Sequence, residues 1–206
     1  MKLYLSSYHL GDKANQLSSL FSNKKVALIS NALDFSTDID RRKKSTETEL
    51  KDLKSVGLNP EEIDLRTYFG NENKLRSKIS EFGGVWLRGG NSFVLLRAIK
   101  YSGFDNIIRS FIKNDSFVYA GYSAGICVAT PSLKGIELVD DPHIIPDGYK
   151  DKKIWEGMSL VNYSIAPHYN SNHPESKLIN KSVEYFIREK MLFKALKDGD
   201  VIIDAI

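Results

Sequence analysis

Short apolar segments alternate with amphipathic segments along almost the whole chain. The apolar segments predict β-strands at residues 2–6, 25–30, 63–65, 84–87, 117–120, 160–166 and 201–203. Apolar residues at helical spacing predict helices at residues 12–21, 45–56, 74–79, 92–100, 104–113 and 174–190. Strands that alternate with helices are typical of a parallel sheet covered by helices on both faces. We therefore expect an α/β three-layer sandwich with a mainly parallel central sheet.

Regular periodicity is lost between residues 132 and 155. Proline and glycine residues interrupt every periodic segment there, which indicates a surface excursion of the kind often found beside an active site. No linker rich in Pro, Gly or Ser divides the chain, and a length of 206 residues fits one domain. The prediction is a single domain over residues 1–206.

The composition excludes several classes of protein. With 42% hydrophobic and 27% charged residues, the chain is typical of a globular protein rather than a disordered one. Its longest apolar segments are too short to span a membrane, and its first residues lack the apolar core of a secretory signal. The single cysteine, Cys127, cannot form an internal disulfide. We therefore expect a cytoplasmic protein without a membrane partner.

The charge balance gives little support to a nucleic-acid partner. The net charge is only +3, and the one basic run, residues 41–44, leads directly into Glu47 and Glu49. Such a run is expected to be the solvated entrance of a helix. We expect no nucleic-acid binding, and either a monomer or a homodimer.

The clearest chemical motif is Gly121-Tyr122-Ser123-Ala124-Gly125, a G-x-S-x-G sequence between a predicted strand and an apolar helical segment. Glycines beside the serine permit a sharp strand-to-helix turn that raises the hydroxyl above the sheet edge. The following helix N-terminus can offer a backbone N–H to an oxyanion. Ser123 is therefore a candidate nucleophile, and an idle serine in a glycine-lined turn is the alternative.

A serine nucleophile needs a base within hydrogen-bond reach, and the chain has four histidines. His168 directly follows a predicted strand, and strand ends at one edge of a parallel sheet converge on the ligand crevice. His168 is the candidate base, with a structural histidine as the alternative. His168 and His173 are five residues apart and have no acidic ligand at helical spacing. No metal site and no cofactor are therefore predicted.

A second glycine-rich turn, Gly89-Gly90-Asn91, follows the predicted strand at residues 84–87 and precedes a helix. Paired glycines allow backbone N–H groups to approach a substrate closely, so this turn is a candidate for the other half of an oxyanion hole. A plain strand-to-helix turn is the alternative.

Together these motifs resemble the peptidase E family of serine peptidases, the aspartyl dipeptidase group whose fold is similar to that of class I glutamine amidotransferases and is flavodoxin-like. The resemblance covers most of the chain. It depends on the turn at residues 88–93, the elbow at residues 121–125 and the segment Ala166-Pro167-His168-Tyr169-Asn170. The order and spacing of these segments agree with the family.

The resemblance implies a serine peptidase for short peptides, including N-terminal aspartyl dipeptides. It implies that Ser123 is the nucleophile and His168 the base, with N–H groups of Gly90 and Ala124 binding the oxyanion. The segment at residues 196–202 resembles the family's acidic-Gly segment and suggests Asp198 as the triad acid, with Asp141 and Asp200 left as alternatives.

The sequence departs from the family at Arg88, where relatives often have a small residue, and in ending shortly after its last predicted strand. Arg88 could offer a cationic fork to a substrate carboxylate, or form a structural ion pair with an acidic residue of residues 137–141. The two possibilities predict different substrate preferences.

Other functions fit less well. An α/β-hydrolase esterase would need a histidine near the end of the chain, after the acid, and none follows His173. A glutamine amidotransferase would need a thiol at the elbow, whereas Cys127 lies four residues beyond Ser123 and is expected to pack against the sheet. The remaining alternative is a catalytically silent binding or regulatory domain that retains this fold.

Overall fold

The computed structural model describes residues 1–206 and contains eight strands and seven α-helices. The strands are β1 (Lys2–Ser6), β2 (Lys25–Ile29), β3 (Asn59–Glu62), β4 (Gly84–Leu87), β5 (Val118–Tyr122), β6 (Ser164–Ala166), β7 (Phe193–Ala195) and β8 (Val201–Ala205). The helices are α1 (Ala14–Leu20), α2 (Ile39–Ser55), α3 (Glu72–Ile79), α4 (Ser92–Ser102), α5 (Phe104–Ser110), α6 (Ala124–Cys127) and α7 (Ser176–Arg188). Short 3-10 helices lie at Asn31–Leu33, Leu65–Tyr68 and Ile136–Leu138.

The central sheet has six strands in the order β3-β2-β4-β5-β1-β8. The first five run parallel, and only β8 runs antiparallel, against β1. Strands β6 and β7 pair in parallel as a separate two-stranded sheet. The mainly parallel sheet predicted from the sequence is therefore confirmed.

Side chains that alternate along the strands build two cores, one on each face of the sheet. In β1, Leu3 and Leu5 join the larger core, which helices α3 to α7 cover, while Tyr4 joins the smaller one. Leu17 of α1 and Leu53 of α2 complete that smaller core. Because successive strand residues point to opposite faces, the fully buried strands separate two helical layers, as a three-layer sandwich requires. No helix of the structure is both long enough and apolar enough to cross a bilayer.

Two predicted elements have different bounds in the structure, and one strand has no predicted counterpart. Strand β3 lies at Asn59–Glu62 rather than residues 63–65, because it is an edge strand whose polar side chains face solvent and which tolerates Pro60. Helix α2 begins at Ile39, six residues before the predicted start, where Asp38 accepts the Arg41 N–H at 2.9 Å as its N-cap. The first turns have no apolar stripe that would reveal them. Strand β7, only three residues long, was not predicted.

The topology brings several candidate site residues together at one edge of the central sheet. Strands β1, β2, β4 and β5 are parallel, so the segments that follow them emerge at the same edge of the sheet. Ser123 follows β5, Gly89 and Gly90 follow β4, and His9 follows β1. Ligands bind at this edge in open α/β sheets.

Candidate active site

The turn after β5 holds Ser123 in a strained conformation. Ser123 has φ 50° and ψ −115°, a region that few non-glycine residues adopt. A Cβ atom on Gly121 or Gly125 would lie 2.4 Å or 2.1 Å from the carbonyl oxygen of Leu87. The elbow glycines are therefore required because the turn packs against the end of β4, and this close packing holds the serine in place.

His168 follows β6 and is almost fully buried. Its φ of 60° is also positive, and its backbone N–H donates to the Ser7 hydroxyl oxygen at 2.8 Å. Ser7 lies just beyond β1. The backbone of His168 is thus anchored to the edge of the central sheet.

Asp198 is the carboxylate that contacts His168. The distance from His168 Nδ1 to Asp198 Oδ1 is 2.6 Å, and because an ionised carboxylate only accepts hydrogen bonds, Nδ1 carries the proton. The Asp198 N–H donates to Ser171 Oγ at 2.8 Å, which restrains the acid. Asp200 and Asp141 instead accept backbone N–H groups of Lys197 and His143, both at 2.8 Å. Nε2 of His168 is therefore left for a partner other than Asp198.

Ala124 directly follows Ser123 at the start of α6, and Gly90 lies in the glycine turn after β4. The Gly90 N–H donates to no backbone or side-chain group of the structure. Gly90 has φ 142°, and a Cβ there would lie 2.5 Å from the Ala32 carbonyl oxygen. A Cβ on Gly89 would lie 3.1 Å from Ser123 Cβ, so the glycine turn packs directly against the elbow. The two N–H groups can serve an oxyanion.

Asn91 is used to build the turn. Its side-chain oxygen accepts the N–H groups of Phe93 and Val94 at 2.9 Å and 3.0 Å, as the N-cap of α4, and its amide donates to the Asp141 carbonyl at 3.1 Å. Asn91 is buried and does not line the cavity described below. Of the residues predicted for the oxyanion or substrate site, Asn91 is the one whose side chain supports the turn instead.

Arg88 lies beside the glycine turn and is 6% exposed. Its Nη2 donates to Ser45 Oγ at 3.0 Å, whereas Nε and Nη1 have no hydrogen-bond partner. No carboxylate lies within ion-pair distance of its guanidinium, so the structural ion pair considered from the sequence is absent. An unpaired buried cation next to a cavity is costly unless a ligand pairs with it.

Ser123, His168, Gly89, Gly90 and Arg88 all line one open cavity of about 460 Å³. The cavity also contains side chains that the sequence analysis did not assign to the site: Tyr8, His9, Leu33, Phe35, Ser36, Arg41, Arg42, Ser45, Tyr122, His173 and Glu175. Its size suits a small ligand. Three arginines and one carboxylate, that of Glu175, are among its lining residues, beside the apolar side chains of Leu33 and Phe35.

Some of these additional residues come from segments that follow strand ends, and others from helix α2. Tyr8 and His9 follow β1, and the rule that parallel strand ends converge would have placed them here once β1 was known to adjoin β5. No sequence signal points to Arg42, whose position depends on the buried Asp34 carboxylate, with which it forms an ion pair. A turn after His168 places His173 at the cavity.

Burial lowers the pKa of the His168 imidazole, whereas the hydrogen bond to Asp198 raises it. Positive charge on His173 or His9 would lower the His168 pKa further. The net shift is downward, because desolvation disfavours the imidazolium. This downward shift of the pKa favours the neutral imidazole, the form that can accept a proton.

One group of side chains has metal-ligand chemistry, namely His168, His173 and Glu175, with ligand atoms within 4.8 Å of one another. The two imidazole rings, however, are stacked with 3.7 Å between centroids and 7° between planes. Ring-nitrogen lone pairs lie in the ring plane, so one ion cannot lie in both planes at a bonding distance of about 2 Å. This geometry does not favour coordination.

The family model for peptidase family S51 matches residues 6–203 of the chain. The chain belongs to peptidase family S51. The resemblance to peptidase E that the elbow, the glycine turn and the His168 segment suggested is thereby confirmed. In this S51 protein the matched region includes every candidate site residue.

Curated relatives agree with the S51 assignment. An uncharacterized peptidase of Listeria monocytogenes is 29% identical over 143 residues, covering 69% of this chain and 66% of the relative. The peptidase E of Streptomyces coelicolor is 30% identical over 68% of this chain and 51% of its own length. A probable alpha-aspartyl dipeptidase of Drosophila melanogaster is 31% identical over 78% of this chain and 60% of its own. The matches thus span about half to two thirds of these relatives.

A solved structure supports the fold. The crystal structure of a peptidase E protein from Listeria monocytogenes superimposes with a TM-score of 0.73 and 24% identity, covering 100% of this chain and 98% of the other. A peptidase from an acI-B1 actinobacterium gives a TM-score of 0.68 at 12% identity, with 99% and 83% covered. The three-layer α/β fold is therefore shared with peptidase structures.

Proposed function

We propose that this S51 protein is a serine peptidase that hydrolyses short peptides through an acyl-enzyme. Ser123 is the nucleophile, His168 the base and Asp198 the acid that orients His168. The observation that carries the proposal is the 2.6 Å hydrogen bond from His168 Nδ1 to Asp198 Oδ1 in a cavity lined by both His168 and Ser123. This bond selects the tautomer whose Nε2 can accept a proton from a serine hydroxyl.

The mechanism follows from these positions. Ser123 Oγ attacks the scissile carbonyl while His168 Nε2 takes its proton, and Asp198 stabilises the resulting imidazolium. The N–H groups of Gly90 and Ala124 bind the oxyanion of the tetrahedral intermediate. Collapse of the intermediate breaks the C–N bond, and the imidazolium gives its proton to the departing amine. Water then attacks the ester, with His168 again acting as base.

The cavity also favours a short, charged peptide. Arg41, Arg42 and Arg88 line the cavity, and Glu175 is the only carboxylate among the lining residues. Arg42 already pairs with Asp34, whereas Arg41 and Arg88 form no ion pair within the protein. A cationic fork binds carboxylates with directional hydrogen bonds. Together with the alpha-aspartyl dipeptidase name of the Drosophila melanogaster relative, this supports dipeptides with an acidic residue as substrates.

Arg88→Lys is expected to raise KM selectively for acidic dipeptides. Lysine keeps the charge but lacks the planar fork, so the aspartyl peptide loses a charge-assisted hydrogen bond worth about 10- to 100-fold in binding. The measurement compares kcat and KM for an aspartyl dipeptide and its asparaginyl counterpart, which has the same shape without the charge. Equal losses for both substrates would exclude Arg88 as the carboxylate ligand.

The acid limb of kcat/KM is expected to have its midpoint below pH 6.5, the ordinary pKa of a histidine side chain. His168 must be neutral to accept the Ser123 proton, so activity falls as pH drops through its pKa. Because burial lowers that pKa, the loss occurs at lower pH than for an exposed histidine. A pH profile of kcat/KM checks this, and a midpoint above 6.5 would contradict it.

The alternative is a catalytically silent binding domain with the same fold. A fluorophosphonate reacts covalently with an activated serine, so the peptidase should take up one label at Ser123, and a silent domain should take up none. Turnover of a dipeptide library by the purified protein, with Ser123→Ala as the blank, would then identify the substrate. No label and no turnover together would reject the peptidase.

A further inference from the structure

A second histidine covers one face of the His168 ring. The rings of His168 and His173 are nearly parallel, 7° apart in plane and 3.7 Å between centroids. The Tyr8 ring meets the two imidazoles edge-on, with centroid distances of 5.5 Å to His168 and 5.3 Å to His173. Side-chain contacts on several sides therefore limit rotation of the His168 ring.

His173 is itself held by a specific hydrogen bond. Its Nδ1 accepts the backbone N–H of Glu175 at 3.3 Å, which requires a lone pair on Nδ1 and leaves the proton on Nε2. The ring that faces His168 is therefore neutral in this arrangement. The Glu175 carboxylate is 4.0 Å from Nδ1, and burial raises the Glu175 pKa.

The His168 ring gains a positive charge during the proposed catalytic cycle. The interaction energy between this ring and the stacked His173 ring depends on that charge. A neutral aromatic face attracts the imidazolium that forms when His168 takes up a proton. Two imidazolium rings at the stacking distance would instead repel each other, so a proton on one ring disfavours a proton on the other. The other titratable groups facing this pair are Asp198, His9, Tyr8 and Glu175, with His9 stacked on Tyr122.

We propose that His173 is a positioning residue for His168, whose ring keeps the imidazole oriented toward Ser123 and whose proton competes with the proton that His168 must accept. The inference deepens the proposed function and rests on it for the catalytic role of His168. His173 does not itself exchange a proton with the substrate. It acts through the ring on which it is stacked.

Two substitutions distinguish the effect of the aromatic ring of His173 from the effect of its charge. His173→Phe keeps an aromatic face but cannot be protonated, and His173→Ala removes the face as well. We expect His173→Phe to retain kcat within about threefold of wild type above neutral pH. We expect His173→Ala to lower kcat by about 10- to 100-fold with little change in KM, because misplacing a catalytic group costs about that much. His143→Phe, at an exposed position outside the cavity, is the matched control and should change neither constant.

The pH profile provides a readout that loss of packing alone would not change. A positive charge on His173 would disfavour a proton on His168, on whose ring it is stacked. His173→Phe cannot carry that charge, so the midpoint of the acid limb of kcat/KM should move to higher pH. Equal loss of kcat in the Phe and Ala variants, an effect on KM alone, or an unchanged profile in His173→Phe would each overturn the proposal.

A measurement without turnover separates this inference from the proposed peptidase activity. Nuclear magnetic resonance of ¹⁵N-labelled histidines can follow the protonation of His168 directly in the Ser123→Ala background. The His168 titration should shift to higher pH on His173→Phe and remain in place on His143→Phe. An unchanged titration would overturn the coupling even in an active enzyme, whereas a shift in a protein that hydrolyses no peptide would reject only the peptidase.

Discussion

Replacing Ser123 by alanine is expected to lower kcat/KM by roughly 10⁴- to 10⁶-fold. In the proposed mechanism Ser123 supplies the attacking oxygen, so without its hydroxyl the N–H groups of Gly90 and Ala124 can provide only the residual catalysis of an oxyanion hole and substrate binding. The side chain is small and its hydroxyl forms no side-chain hydrogen bond in the structure, so folding should be nearly unchanged. Steady-state kinetics on a dipeptide and a thermal melt of the variant measure the two effects.

Ser36→Ala is the matched control, because Ser36 lines the same cavity but belongs to the segment between β2 and α2 rather than to the turn after β5. It should keep near wild-type activity and still take up a fluorophosphonate label, which Ser123→Ala should not. If Ser123→Ala kept more than about a tenth of wild-type kcat/KM, the lost stabilisation would be under roughly 1.4 kcal/mol. Such a small loss would mean that Ser123 is not the nucleophile.

The order and type of most elements could be predicted because the buried strands are short apolar segments bounded by polar or breaker residues. Edge strands lack this signal. β3 exposes three of its four residues, and the neighbouring apolar Ile63 and Leu65 bury their side chains from irregular and 3-10 segments. Hydrophobic periodicity indicates which residues are buried. It therefore identified the buried residues Ile63 and Leu65 and missed the exposed strand β3 beside them.

The elbow and the glycine turn could be located because they are local: glycines at fixed spacing are needed wherever backbone passes close to Leu87 or Ala32. The surroundings of His168 could not be predicted in the same way. His173 reaches the His168 ring through positive φ values at His168 and Asn170, and local spacing gives no sign of this tight turn. Contacts made through irregular backbone depend on three-dimensional packing that the linear pattern does not encode.

The hydrogen-bond partner of Arg88 is a second contact that the linear sequence pattern does not encode. The sequence placed it correctly beside the glycine turn but left its partner open between a substrate carboxylate and an acidic residue of the excursion. The partner of its Nη2 is Ser45 of α2, a residue that reaches the site because α2 covers the face of the sheet on which Arg88 lies. The acidic excursion instead packs beside α4, where Asp140 accepts the Ser92 N–H at 2.8 Å, and burial raises the pKa of Asp140 to about 6.

Replacing Asp198 by asparagine should lower kcat by about 10⁴-fold with little change in KM. The amide keeps the shape of the carboxylate, but its NH₂ group can donate to Nδ1 and so favours the tautomer that carries its proton on Nε2. In that tautomer His168 cannot accept the Ser123 proton. The variant also loses the negative charge that, in the proposed mechanism, stabilises the imidazolium, whereas Arg88, the proposed ligand of a substrate carboxylate, is untouched. Kinetics that separate kcat from KM test this expectation.

Asp200→Asn and Asp141→Asn are the matched controls, since each of these carboxylates accepts a backbone N–H rather than a hydrogen bond from an imidazole ring. An asparagine oxygen can still accept those hydrogen bonds, so both variants should keep most of the wild-type kcat. A large loss confined to Asp200 or Asp141 would transfer the orienting role to that residue. Small, comparable losses at all three positions would indicate a Ser123–His168 dyad, in which the 2.6 Å contact with Asp198 holds the imidazole ring without controlling its proton.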